Sequence, residues 1–332
     1  MEHAPNGILL VDKAEDWTSH DVVAKARRSL GTKKVGHAGT LDPMATGLLV
    51  LGAGPSTRLL THLVGLDKTY TTTIRLGVST VSDDRTGAVL DIAPPSAVAE
   101  LAADPSRIFD AVRALTGDIE QAPSAVSAIK VAGRRAYDRV RAGEQVELKK
   151  RPVSVYEFEI EDPGTVEAVH LSGGETPIPV LDIDATVRCS SGTYIRALAR
   201  DLGEALGVGG HLVALRRTEV GPFSVDDAVA GERLAAGEAL IDELHAPSKI
   251  ASSLFPVLVL DEQQQIDLRH GKRPHLREGQ TLCDGAVDAK LAAAIGPDGG
   301  LTGLIEVKAG RTRVVTNFPS PESGVALAGR DS

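Results

Sequence analysis

The sequence predicts an α+β fold: a large domain built on a mixed, largely antiparallel sheet, followed by a small β-rich domain. Three observations carry this. Strand and helix patterns succeed one another without the regular βαβ alternation of a doubly wound sheet. The 332 residues exceed the ~250–300 at which a single core stops growing. Beyond residue 248 an Ala-rich helical stretch gives way to short apolar runs with strand character.

The elements follow in order. Gly7–Lys13 opens on the apolar run Ile8–Val11 and is read as a short buried strand. Thr18 and Ser19 are N-cap candidates with Asp21 in the first turn; Val22, Val23, Ala26 and Leu30 recur at helical spacing, and Gly31 closes the helix. Residues 32–43 lack an apolar period and read as a polar loop. Leu48–Leu51 is strand-like, and residues 57–66 read as a helix stopped at Gly65. Lys68–Leu76 alternates and is rich in β-branched residues, hence a strand; residues 82–87 form a turn. Helices are expected at 107–115, 137–142 and 193–206, the last ended by Gly207, and strands at 153–160 and 183–189. After the Ala-rich stretch 231–253 come a strand at 255–260, a short helix at 263–271, and strands at 303–307 and 314–315. The expected organisation is a domain at 1–248 with an inserted basic segment at about 122–152, a small domain at 249–320, and a polar, unstructured tail at 321–332.

Composition bounds the function. Cys189 and Cys283 are too few for a disulfide framework and lack metal-ligand spacing, so they read as small hydrophobes. Neither a signal peptide nor a run of ~18 apolar residues is present, so a cytoplasmic, non-membrane protein is expected. The net charge of −9 argues at first against nucleic acid, but the charges are segregated. Eight Lys/Arg against three acids lie between Lys130 and Arg151, whereas residues 152–187 hold eight acids and no Lys or Arg. Lys25, Arg27, Arg28, Lys33 and Lys34 form a second basic group. Such patterning can leave a basic face on an acidic protein, although a solvated helix face accounts for many such runs.

Three clusters stand out chemically. Asp42-Pro43 is on its own a turn signal, but His37, Gly39 and Thr40 crowd the same loop, between a basic helix and an apolar strand. In Cys189–Arg196 a strand ends, a Gly turn follows, and Arg196 sits near a helix start, where the dipole disfavours it; pairing with a buried carboxylate would explain the placement. Tyr70 lies on the Lys68–Leu76 strand. Each Tyr alone reads equally well as core packing.

Together these segments resemble a known family. Gly36-His-Ala-Gly-Thr-Leu-Asp-Pro-Met-Ala-Thr-Gly-Leu-Leu49 is similar to the catalytic motif of the bacterial tRNA pseudouridine-55 synthases. So, in the family's order, are Gly7–Lys13, Gly65–Tyr70, Ser127–Lys130, Arg151–Val153, Ser191–Gly203 and His211–Arg217. The tail resembles a PUA-like RNA-binding domain at 268–274 and 303–307.

The resemblance implies a pseudouridine-synthase catalytic domain that isomerises uridine in the tRNA T-loop without cofactor or metal. It implies Asp42 as the catalytic carboxylate, attacking C1′ or promoting a glycal route, with Arg196 stabilising its ionised form. It implies Tyr70 stacking on the flipped uracil and handling the C5 proton, and Tyr194 and Leu215 lining the pocket. His37 would fill the space left by flipped bases, and Asp84 would support the Arg. The basic insertion, including Lys130 and Arg151, corresponds to a thumb that clamps the T-stem-loop through phosphates. The partner is tRNA, no obligate protein partner is implied, and a monomer is expected.

The chain departs from the family at Ala122–Ser127, where Pro-Pro-Met-Tyr-Ser is usual, at Pro55-Ser56 in place of Lys-Ala, and at Thr80–Ser82, which lacks a common acid. Two other readings are a tRNA-folding chaperone on the same scaffold and an unrelated carboxylate hydrolase. The hydrolase would need a second carboxylate as general acid.

Overall fold

The computed structural model describes residues 4–124, 130–131, 134–135, 149–171 and 176–318. The strands are β1 (Gly7–Lys13), β2 (Val35–Ala38), β3 (Thr46–Ala53), β4 (Lys68–Leu76), β5 (Val78–Thr80), β6 (Val89–Ile92), β7 (Gly117–Gln121), β8 (Lys130–Val131), β9 (Arg134–Arg135), β10 (Arg151–Asp162), β11 (Val166–Val169), β12 (Ile178–Cys189), β13 (Gly210–Val220), β14 (Phe223–Ser224), β15 (Val229–Ala230), β16 (Val257–Val259), β17 (Ala289–Ile295), β18 (Leu301–Lys308) and β19 (Arg311–Asn317). The helices are α1 (Ser19–Ser29), α2 (Leu60–Leu63), α3 (Pro95–Ala103), α4 (Ser106–Ala114), α5 (Ile195–Leu206), α6 (Gly231–Ala235), α7 (Pro247–Leu254) and α8 (Glu262–Arg269).

The chain divides into two units: residues 1–41, 49–64 and 227–332 form one, and residues 42–48 and 65–226 the other. Strand β3 runs from the second unit into the first.

In the first unit, β1 carries the apolar run Ile8–Val11 and pairs in parallel with β15, while β2 pairs antiparallel with β3. Helix α1 starts at a capping box. Asp21 N–H donates to the Thr18 hydroxyl at 3.1 Å, and Thr18 N–H donates to the Asp21 carboxylate at 2.8 Å. Val22, Val23, Ala26 and Leu30 are its buried stripe. A four-stranded sheet in the order β16-β17-β18-β19 carries α8 against β18, around Leu258, Leu260, Leu268 and Ile305.

The second unit is built on strands in the order β3-β13-β4-β12-β10-β7, antiparallel except for the parallel β3–β13 step. Strand β4 shows strict alternation: Lys68, Tyr70, Thr72, Ile74 and Leu76 face inward. Helix α5 lies on β13, buries Leu198, Leu202 and Leu206, and ends at Gly207, whose φ of +75° suits glycine.

The predicted α+β class and its largely antiparallel sheet are observed. Several local expectations change. The predicted loop 32–43 contains β2, because pairing with Val50–Ala53 supplies the hydrogen bonds that its mixed Val-Gly-His-Ala pattern does not advertise. The predicted helix 57–66 is a 3₁₀ turn at Gly54–Arg58 followed by the single turn α2. The Ala-rich stretch 231–253 breaks at Gly237, φ +73°, into α6 and α7. The predicted helix 137–142 and the tail 321–332 lie outside the described residues, as does most of the insertion at about 122–152.

Candidate active site

Asp42 follows the β2 strand on a short turn closed by Ala45 N–H donating to its carbonyl at 3.1 Å. Arg196, the second residue of α5, grips the Asp42 carboxylate with two nitrogens: Nε at 2.9 Å from Oδ2 and Nη2 at 3.3 Å from Oδ1. Such a fork is the strong form of a charged hydrogen bond. The side chain of Arg196 is only 5% exposed, while that of Asp42 is 38% exposed. The carboxylate is therefore oriented from within and open from without.

A second anion completes the setting of Arg196. Its Nη1 donates to the Ser82 carbonyl at 2.8 Å and lies 3.4 Å from Asp84 Oδ2. The other Asp84 oxygen accepts from the Ser82 hydroxyl (2.7 Å), the Thr86 N–H (2.9 Å) and the Thr86 hydroxyl (2.6 Å). The turn that carries Asp84 is docked on β13 by Leu212 N–H donating to the Asp83 carbonyl (3.0 Å) and Arg85 N–H donating to the Leu212 carbonyl (2.8 Å). Asp83 takes a left-handed φ of +59°, which Asp tolerates better than most residues. Burial pushes its carboxyl up, and the charge of Arg200, 3.3 Å away, opposes that. An arginine near a helix N-terminus is thus explained by two carboxylates from distant parts of the sequence.

Tyr70 is buried on the inner face of β4. Burial raises its phenol above the usual range, the charge of Arg217 pulls the other way, and Asp42 adds a smaller upward push. Leu215, two residues before Arg217 on β13, is buried. Tyr194 caps α5; its N–H donates to Gln121 Oε1 at 2.8 Å, and Gln121 Nε2 donates to its carbonyl at 3.1 Å. Partial burial raises its phenol, and its surroundings include Arg151, Arg196 and Asp42. Arg151 opens β10 and is exposed.

The structure therefore brings Asp42, Arg196, Asp84, Tyr70 and Tyr194 into one neighbourhood, with Leu215 on β13 beside the Tyr70 strand and Arg151 at the start of β10, close enough to Tyr194 to act on its phenol. His37 belongs to the first unit, on β2, where its ring stands edge-on to His20 with 5.8 Å between centroids. Lys130 is described by backbone alone, on β8, which pairs antiparallel with β9. No group of three or more His, Cys, Asp or Glu able to hold a metal is found among the described residues. Nor is any helix among them long and apolar enough to cross a membrane. Sequence reasoning gave no role to Arg217, Gln121 or the Ser82 carbonyl. Arg217 stood inside a quoted motif, but nothing in the motif shows that β13 sets it opposite Tyr70.

Comparison with known proteins identifies the arrangement. A model of the TruB family pseudouridylate synthase N-terminal domain matches residues 27–195, and one of the tRNA pseudouridylate synthase B C-terminal domain matches residues 196–259. The chain belongs to the TruB family of pseudouridylate synthases. It is 53% identical to a tRNA pseudouridine synthase B of Leifsonia xyli subsp. xyli, over 96% of this chain and 98% of that one. A tRNA pseudouridine synthase B of an Arthrobacter species is 52% identical over the same shares. In structure, the chain resembles one in the crystal structure of a Cbf5–Nop10–Gar1 complex (TM-score 0.65, 23% identity, 96% of this chain and 86% of that one). At that identity the likeness speaks for the fold. Membership of this family bears out the expected fold class and the expected activity, isomerisation of uridine to pseudouridine in tRNA.

Proposed function

We propose that this TruB-family chain isomerises the uridine at position 55 of the tRNA T-loop, with Asp42 as its catalytic carboxylate. The observation that carries this reading is the Arg196 fork on Asp42: a buried cation fixing a carboxylate that remains accessible. Cleaving the C1′–N1 bond develops positive charge on the ribose. An ionised carboxylate held in place stabilises that charge or traps C1′ covalently. Because the partners are already organised, little reorganisation is needed when the bond breaks.

The target uridine must leave its stack to reach Asp42, and a flipped base is held by ring stacking and edge hydrogen bonds. Tyr70 and Tyr194 are the rings suited to this, with Leu215 shaping the wall. Asp84 sets Arg196. Its Oδ1 already takes three hydrogen bonds and its Oδ2 faces the guanidinium, so it is poorly placed to act as the general acid a hydrolase needs. His37 on the first unit and Arg151 with the basic insertion, Lys130 included, are assigned to the RNA rather than to the chemistry. A monomer acting on the T-stem-loop in the cytoplasm fits this role. Treatment of an unmodified tRNA followed by pseudouridine mapping tests it: one modified site in the T-loop is expected, and modification elsewhere or nowhere would refute the assignment.

A further inference from the structure

Arg217 is a fully buried cation, 1% exposed, that the chemistry above leaves unused. Three features aim it. It is the direct antiparallel partner of Tyr70 across β13 and β4. It is also the parallel partner of Gly47 on β3, five residues after Asp42, and its Nε donates to the Leu48 carbonyl at 2.7 Å. The β13–β4 register then slips between Arg217 and Glu219, the kind of irregularity that re-aims a side chain beside a site. The close approach to β3 depends on Gly47, whose φ is +96° and whose missing Cβ would lie 2.2 Å from the Arg217 carbonyl oxygen. The charge of Arg217 acts on the Tyr70 phenol, pulling its pKa down against the burial that raises it. Anchoring one backbone carbonyl requires only a neutral donor. A guanidinium remains charged throughout the accessible pH range and is expensive to bury.

We propose that Arg217 is a positioning residue for proton transfer from C5. Its guanidinium fixes the Tyr70 oxygen and balances the negative charge that gathers there. This rests on the reading of Tyr70 as the group that handles the C5 proton. Once C5 has bonded to C1′, C5 carries a hydrogen and N1 is doubly bonded to C6. The Tyr70 oxygen takes the C5 proton as its own passes through water to N1. The C5–H electron pair forms the C5=C6 bond, and the C6=N1 pair becomes the N1 lone pair that receives the proton. The phenol is regenerated, and the transient charge on its oxygen faces Arg217.

The test is single-turnover conversion, by the full chain, of a T-stem-loop RNA carrying hydrogen or deuterium at C5 of the target uridine. Tyr70→Phe, Arg217→Gln and Arg217→Lys are compared with the parent, with thermal melting and RNA binding as controls. Arg217→Gln is expected to slow conversion about 10- to 100-fold, part of the roughly 10²- to 10⁴-fold that a placed proton acceptor contributes. It is also expected to raise the C5 isotope effect, as Tyr70→Phe does, at unchanged RNA affinity, with Arg217→Lys between Arg217→Gln and the parent. A raised isotope effect in Tyr70→Phe with an unchanged one in Arg217→Gln overturns the proposal. An unchanged effect in Tyr70→Phe refutes instead the reading of Tyr70. If neither Arg217 variant folds, Arg217 is a structural residue and the proposal fails.

Discussion

Asp84→Asn removes one negative charge from the Arg196 setting with almost no change of shape. The Asp84 side chain is 6% exposed and its Oδ2 lies 3.4 Å from Arg196 Nη1. At that separation and an effective dielectric of about 20, the lost attraction is about 5 kcal/mol. Part is returned, because the variant no longer desolvates an anion, and Arg196 keeps Asp42 and the Ser82 carbonyl. The amide must also place one NH₂ among the donors that now converge on Oδ1, or turn it toward the guanidinium. A net loss of about 3 kcal/mol is expected, the scale measured when one partner of a buried pair is removed. For a chain of this size that lowers the melting midpoint by about 4 °C. With one anchor gone, the fork on Asp42 loosens and single-turnover formation of pseudouridine should fall at least about tenfold, because small misplacements of reacting groups carry large rate penalties. Thermal melting and tritium release from 5-³H-uridine tRNA read the two effects. A variant that melts within about 1 °C of the parent and turns over within about twofold would refute the idea that Asp84 sets Arg196.

Two further substitutions test the framework around Tyr70. Burial, with the nearby Arg217 charge, holds the Lys68 ammonium at about 8, down from the usual 10.5, which corresponds to about 3 kcal/mol of instability below pH 8. That penalty is fully present below pH 8 and is relieved as pH rises toward 10.5. Lys68→Met should therefore melt higher than the parent at pH 7, with the gap narrowing above pH 8; a gap independent of pH would contradict the assignment. Gly47→Ala forces a Cβ to within 2.2 Å of the Arg217 carbonyl oxygen at a φ of +96°. It should cost at least about 2 kcal/mol in denaturant unfolding; unchanged stability would show that β3 and β13 separate more easily than their pairing implies.

The elements that local sequence specifies were legible, and those made by tertiary pairing were not. β1 and β4 have the same limits in the structure as in the sequence reading, because a short apolar run after Gly7 and a strict alternation are each strong local strand signals. The cap of α1 was readable because Thr18 and Asp21 carry the capping box in four residues. β2 was not, since Val-Gly-His-Ala becomes a strand only beside Val50–Ala53. β13 was missed as a strand although its motif was quoted, because its neighbours β4 and β3 lie more than a hundred residues back in the chain. At the site, the need of Arg196 for a carboxylate was deduced from its place at a helix start, and Asp42 and Asp84 meet it. What spacing could not reveal was the depth of the arrangement: the three donors on Asp84 Oδ1, the Gln121 clamp on Tyr194, and Arg217 opposite Tyr70. Each depends on a register between strands or on a turn docked against one.

Substitution of Asp42 by Asn leaves the shape of the carboxylate and the Arg196 side chain in place and removes only the charge that the reaction uses. Pseudouridine formation and tRNA binding, measured on the same preparation, separate the two roles. The catalytic role of Asp42 predicts no detectable tritium release by Asp42→Asn, with affinity for tRNA within about tenfold of the parent, roughly 1.4 kcal/mol. Turnover at the parental rate by that variant would contradict it.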